Sequence, residues 1–509
     1  MSRPSAEVPR GAEAAVDRRA SLRPRRTRPE GRRRRRHRLA HGADRPGRAA
    51  ARQQPRQRRG RSQALRRVPA RPARPRHTCL LEHQRSEQRP CMPGNDGARH
   101  GGRHAPGRAA VRRALPRHRA GRRARALATA AMSRKPFNER LAAFWCNHFT
   151  VSMAKASARG IVGAFEREAI RPHIGGSFEA LLKAAVKHAG MLRYLDNDQS
   201  AGPDSTLVRR LARRPRGEGE PAPRLTGLNE NLAREVLELH TLGAPGLLGG
   251  GAAWGGWGGY TQADVTEFAR VLTGWRVPLA QLLREGNGAA EPTRFNASWH
   301  DPGPKTVLGK RYRAGPEALD EVLADLAHHP STARFVSYKL ARHFVADEPP
   351  PELVAALATA FSKSGGDLPA VYRALVESPL AWTGAPVKLK TPEEFVVSSA
   401  RLLGLGEQAF ARGPDGGIGA LGQRVQSAPS PAGWPDRAEE WLGPDAVWKR
   451  VEWATRVANL VGRQVDARSL ARASLGPRLA DETARQIERA SDGPQALALL
   501  LLAPEFQRR

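Results

Sequence analysis

Long apolar runs, cysteine pairs and, across its first quarter, lysine and aromatic residues are what this 509-residue chain lacks. No stretch of about 18 apolar residues occurs, so no segment reads as a membrane-spanning helix. Only three cysteines are present, and two of them, Cys79 and Cys91, fall in an atypical front segment. Cys146 alone remains for the rest, which excludes an internal disulfide or a thiolate zinc cage there. Residues 1–131 hold 38 Arg and no Lys, Phe, Trp, Tyr or Ile, against 8 acidic residues. That segment therefore carries +30 of the chain's formal +36. The extreme basicity belongs to the front, and the remainder is close to neutral.

A stretch of Arg, Ala, Pro and Gly, with runs such as Arg32 to Arg36, cannot bury enough apolar surface to offset chain entropy. Residues 1–131 are thus expected to be disordered, and residues 132–509 to form the folded domain. Two origins for the front segment stay open. One is a basic tail that binds nucleic acid or another polyanion by counterion release. The other, which we favour, is GC-rich DNA translated out of frame, since a natural basic tail usually mixes Lys with Arg. No signal peptide is visible at the N-terminus, because no apolar run follows the basic start. The folded part itself gives no reason to expect nucleic acid.

Helical periodicity dominates from Pro136 onward. Phe137, Leu141, Phe144 and His148 form one stripe over 136–152, and further helices are expected over 160–170 and 178–194. After an Asx-type turn at 196–202, the segment Asn229 to Gly243 reads as one continuous helix. On an ideal helical wheel Leu228, Leu232, Val236, Leu239 and Leu242 share an apolar arc, with Glu230, Arg234, Glu238 and Thr241 on the wet face. Glu235 projects into the apolar arc, where a carboxylate has to be paired, protonated or bound to a cation. Asn229 and His240 lie at the arc's other edge. A glycine- and tryptophan-rich insert, 244–259, follows, then a helix capped by Thr261 and Asp264. One β-hairpin is expected near 295–312, around Trp299-His300-Asp301-Pro302-Gly303-Pro304-Lys305. Beyond it come helices over 316–328, 331–346, 351–364, 367–377, 392–404, 443–463 and 480–503, interrupted by the aromatic turn Gly433-Trp434-Pro435. The fold class is all-α with one small hairpin.

Several of these landmarks recur in a fixed order: Phe144-Trp145-Cys146-Asn147-His148-Phe149, Leu195-Asp196-Asn197, Asn229 through Gly243, Gly259-Tyr260-Thr261-Gln262-Ala263-Asp264, Leu272-Thr273-Gly274-Trp275, His300-Asp301-Pro302-Gly303-Pro304-Lys305 and Gly433-Trp434-Pro435. In that order they resemble the bacterial domain-of-unknown-function 1800 family, from about residue 133 to 509. The resemblance implies a mostly helical, commonly exported protein, periplasmic or extracellular, whose biochemical activity is not established. It names no mechanism. Members usually carry helical sequence before the Phe144-Trp145 motif, and residues 1–131 do not resemble it.

Three functions compete. In the first, the chain is a binding or scaffold protein. Its polar residues then fix helix packing, and the tryptophans of the insert and of Gly433-Trp434-Pro435 meet a protein or glycan partner. Asn229, Arg234, His300, Asp301, Lys305 and Trp434 are its candidate binding residues. In the second, His148, Glu235 and His240 hold a divalent zinc or iron ion, and a metal-bound water attacks the substrate. Glu235, Glu238 and His240 would then be the catalytic set, with Glu235 as general base. In the third, the Arg-rich front segment binds a polyanion.

Overall fold

Most of the longer helices begin either on a side chain that caps the backbone or on a proline, as the sequence pattern demands. The computed structural model describes residues 123–213, 227–244, 259–278 and 292–509, except 383, 412 and 414. Ser177 accepts from the Ala180 amide, and Asp367 accepts from Ala370. Thr261 with Asp264 and Thr391 with Glu394 form reciprocal capping boxes. Pro136, Pro330, Pro351 and Pro444 open helices that end at His148, Phe344, Lys363 and Val461.

Among the described residues the architecture is helical, with two small antiparallel strand pairs in place of the single expected hairpin. Trp275–Arg276 pairs with Arg294–Phe295, and Lys305–Val307 pairs with Lys310–Tyr312. Two expected helices are broken. Phe178–Lys187 and Ala189–Tyr194 are separated by His188, whose backbone turns extended while its ring accepts from the Gly190 amide. The 480–503 span divides into Asp481–Glu488 and Gly493–Leu502, because Asp492 caps the second piece and Pro494 cannot continue the first.

Two apolar cores result. The larger gathers Trp145, Phe149, Phe178, Leu192, Val236, Phe268, Phe335, Leu357 and Val371 among others. At its centre the Trp145 indole donates to Tyr372 at 2.7 Å and stacks on Phe149 at 5.8 Å between centroids. The smaller is built from Phe395, Phe410, Ile418, Trp453, Leu497 and Phe506. It also takes in Leu127, Ala128 and Ala131, so the expected disordered segment ends earlier than residue 131. Residues 123–132 are helical, an Ala-rich stretch with high helix propensity packed on small side chains. Residues 1–122, residues 214–226 and the insert tryptophans Trp254 and Trp257 lie outside the described residues.

The seam between the cores is polar. Asn147 donates its amide to the Trp434 carbonyl at 2.8 Å and accepts the Trp434 N–H at 2.8 Å. Ser152 donates to the Ala428 carbonyl, Met153 N–H to Gln426, and the Arg509 guanidinium to the His343 carbonyl at 2.6 Å. Gly433 makes the Asn147 pairing possible. Its φ is +86°, and a Cβ there would stand 2.6 Å from the Asn147 carbonyl oxygen.

Gly202 is as tightly placed. A Cβ there would lie 2.5 Å from the Asp301 Cα, a backbone atom that cannot rotate away. Gly202→Ala is expected to cost about 1–3 kcal/mol or more, whereas Gly175→Ala, which meets nothing within 4 Å, stays within about 0.5 kcal/mol of wild type. Urea denaturation midpoints of the two variants check this directly.

Candidate functional site

The two histidines proposed as metal ligands are core residues. His148 points its Nε2 at the His240 carbonyl, 3.1 Å away, so it donates as the Nε2–H tautomer. The rings stand 6.0 Å apart, within a cluster that includes Phe144, Trp145, Phe149 and Phe335. Burial drives the His148 imidazole well below its ordinary pKa, and burial takes His240 to about 3, so both are neutral. Among the described residues no three His, Cys, Asp or Glu side chains come together as an ion would need. The set His148, Glu235 and His240 is therefore not assembled.

The reason lies in the helix that carries Glu235. It is α-helical only over Asn231–Glu235, then widens to a π-turn over Val236–Thr241. The Leu242 N–H reaches back to the Leu237 carbonyl at 2.8 Å, and the Thr241 hydroxyl donates to Val236 at 2.7 Å. An i→i+5 turn re-phases everything after it. His240 and Thr241 rotate into the core, Leu239 rotates partly out, and Thr241 leaves the wet face assigned to it. Glu235 ends half-buried rather than inside the arc. It makes no hydrogen bond or ion pair among the described residues, and burial, then Glu238 one turn on, push its carboxyl up to about 7. Glu238 is 3.5 Å from the Tyr260 hydroxyl, and Glu235 adds to the burial that raises Tyr194 to about 12. Glu235 and Glu238 are thus together, as expected, but apart from any imidazole that could share a metal.

His300, Asp301 and Lys305 form a turn that satisfies itself. His300 Nδ1–H donates to the Thr273 carbonyl at 2.8 Å, and its Nε2 accepts from Gly315 N–H and from Lys305, each at 3.3 Å. The Lys305 ammonium, fully buried, also donates to the carbonyls of Asp301 and Gly303. Asp301 accepts from the Asp204 N–H at 3.2 Å, and its own N–H donates to Thr273. Asn229 is structural as well: it caps the Asn231 amide at 2.9 Å and donates to the carbonyls of Leu195 and Asp196. Arg234 pairs with Glu230 and Gln262 at 3.1 Å on the surface. Trp434 is half-buried, not exposed, and its indole N–H is enclosed without an acceptor.

Trp434 instead lines a cavity of about 390 Å³ along the seam between the cores. Leu127, Val162, Phe165, Val397 and Val425 supply apolar wall, while Arg140, Cys146, His343, Lys390, Glu393, Glu394 and Arg509 bring polar groups. Burial dominates their chemistry. It lowers Arg140 to about 10, His343 to about 3 and Lys390 to about 7, and raises the Cys146 thiol well above its ordinary value. Glu393 is pushed up to about 7 by burial and then by Glu166 and Glu394. For Glu394 burial pulls upward, yet Arg509, His343 and Arg140 together outweigh it and hold the carboxyl near 2. Opposite Cys146, Arg171 is fully engaged with Glu139 and Glu166 at 2.9 Å each.

Apart from Trp434, these residues escaped the sequence reading because they come from separate segments between positions 123 and 509. One signal was available: Arg140 sits three residues after Phe137 and four before Phe144, beside the apolar stripe, where a charge is out of place.

A family model described as "Protein of unknown function (DUF1800)" matches residues 11–508. The match starts well upstream of residue 133, where the motif resemblance begins. No curated protein and no solved structure matches the chain.

Glu235 gives a testable pH dependence. Its folded-state pKa of about 7 lies above the ordinary 4.5, so the folded state holds the proton more tightly than the unfolded chain. That stabilisation is complete below about pH 4.5 and is lost as pH rises through 7. Glu235→Gln is expected to match wild type at pH 4.5 and to exceed it by about 1 kcal/mol at pH 8, discounted for partial exposure. Urea melts at the two pH values measure the difference.

Proposed function

The chain belongs to the DUF1800 family, and on that premise we propose that it is a binding protein whose ligand site is the cavity at the seam between its two cores. The cavity's volume and lining carry the reading. At about 390 Å³ it falls within the usual range for small-molecule sites, roughly 300–1,000 Å³. Its wall is apolar with a few convergent polar groups, the usual composition of such a site. Several of those groups have perturbed pKa values, and Nε and Nη2 of Arg140 and Nε2 of His343 have no hydrogen-bond partner. Arg171 shows the contrast, since its guanidinium is engaged by two carboxylates.

The geometry of the lining supports a ligand held between cores rather than on a surface. The helix Pro136–His148 contributes Arg140, Ala143 and Asn147, the helix Pro392–Leu402 contributes Glu393, Glu394 and Val397, and residues 123–130 close one side. A ligand there touches both cores at once, so binding stabilises the fold through linkage.

A neutral apolar dye such as N-phenyl-1-naphthylamine tests the reading. The full chain is expected to bind it saturably, one per chain, with a rise in fluorescence. Val397→Trp, at a half-buried lining position, is expected to fill the cavity and abolish that rise while circular dichroism stays unchanged. Absence of saturable binding, or equal binding by the Val397→Trp variant, contradicts the proposal.

A further inference from the structure

Resting on the cavity as the ligand site, we propose that its natural occupant is an amphiphile with a carboxylate head and an apolar tail, the head held by Arg140, Arg509 and Trp434. Five nitrogen atoms carry the argument: Nε and Nη2 of Arg140, Nε and Nη2 of Arg509, and Nε1 of Trp434. All are buried, none has a hydrogen-bond partner, and the three side chains line the same cavity. Guanidinium and indole nitrogens are donors only, so what they lack is an acceptor. Arg509 Nη2 also lies 2.6 Å from Glu394 Oε1, an ion pair that supplies part of its compensation. The donors left without any counter-group are those of Arg140, Nε of Arg509 and Nε1 of Trp434.

The charge around these donors is unbalanced in the same sense. Arg140 stands over the Phe344 ring at 4.7 Å and Lys390 over Phe506 at 3.8 Å, contacts that shelter a cation without neutralising it. Glu394 is the carboxylate that Arg140, Lys390 and Arg509 share. Asp436, also on the lining, is held low despite burial by Lys339 and Lys388 ahead of His343 and Arg342. A buried guanidinium without compensation is costly, and an incoming anion removes that cost. The guanidinium fork fits a planar two-oxygen acceptor. Glu393 and Glu394 face the same space and repel a second negative charge, which favours a carboxylate over a phosphate monoester. Leu127, Val162, Phe165, Val397 and Val425 then receive the tail.

Calorimetric titration of the full chain with decanoate, decan-1-ol and decyl phosphate tests the assignment. Decanoate is expected to bind one per chain and at least about tenfold more tightly than the alcohol, with decyl phosphate weaker than decanoate. Arg140→Gln should remove the preference, so that decanoate and decan-1-ol bind that variant with equal affinity. Trp434→Phe, which deletes one N–H and keeps the aromatic volume, should weaken decanoate alone by about three- to tenfold, and it carries the test if Arg140→Gln does not fold. Equal affinity for alcohol and carboxylate overturns the anionic head, and tighter decyl phosphate overturns the carboxylate. Failure of all three alkyl ligands with the neutral dye still bound overturns this inference alone. Failure of the dye as well overturns the cavity as a ligand site.

Discussion

The reciprocal pair between the Asn147 side chain and the Trp434 backbone is the contact on which the seam depends. Both ends of one amide are used at 2.8 Å, one donating and one accepting, between residues 287 positions apart. Hydrogen bonds of this kind contribute about 1 kcal/mol each, but their directionality fixes where the Gly433-Trp434-Pro435 turn sits against the end of the Pro136–His148 helix. That placement puts the Trp434 indole on the cavity wall and leaves its N–H enclosed. It also demands glycine at 433, where any side chain would strike the Asn147 carbonyl. The Arg509–His343 and Ser152–Ala428 bonds hold the same seam at other points.

Polar and charged groups concentrate at this seam because two separate apolar cores meet there without merging. In the larger core Lys305 and Trp145 use every donor on a nearby carbonyl, imidazole or hydroxyl, while Nδ1 of His148 and of His240 and the Ser337 hydroxyl stay unpaired. Along the cavity the unpaired atoms include guanidinium nitrogens, which carry charge. Arg140, Arg509 and Trp434 remain short of acceptors, and Glu393 is pushed up to about 7 by burial, then by Glu166 and Glu394. A polypeptide that only needed to join two cores would do so more cheaply with apolar side chains. On the proposed reading, the retained charge is what a ligand would meet at the seam.

The helical class, most helix spans, the Thr261 cap and the strand region near 305–312 were legible in the sequence, since each rests on local periodicity or capping chemistry. The helix break at His188 was missed because the apolar period runs on through it, whereas Ser491-Asp492-Gly493-Pro494 carried a cap and a stop that could have been read. The π-turn at Val236–Thr241 was invisible for a different reason. Nothing in composition marks an i→i+5 turn, and an ideal wheel put Thr241 in water, where the structure buries it, and Glu235 fully in the core, where the structure only half-buries it. His300, Asp301 and Lys305 looked like a site because they are polar and close in sequence, yet closeness let them satisfy one another. The residues of the cavity were not legible as a group, since Arg140, Glu394, Trp434 and Arg509 are joined only by the tertiary fold.

Amide hydrogen exchange at Trp434 is the measurement that bears most directly on this account. If the Asn147 pairing fixes the seam, the Trp434 N–H is protected in wild type to a degree comparable with core amides such as Phe149. In Asn147→Ala that protection falls by an order of magnitude or more, while Phe149 is little changed. Exchange of the wild-type Trp434 amide at the rate of an unstructured peptide, with Phe149 protected, would contradict the account.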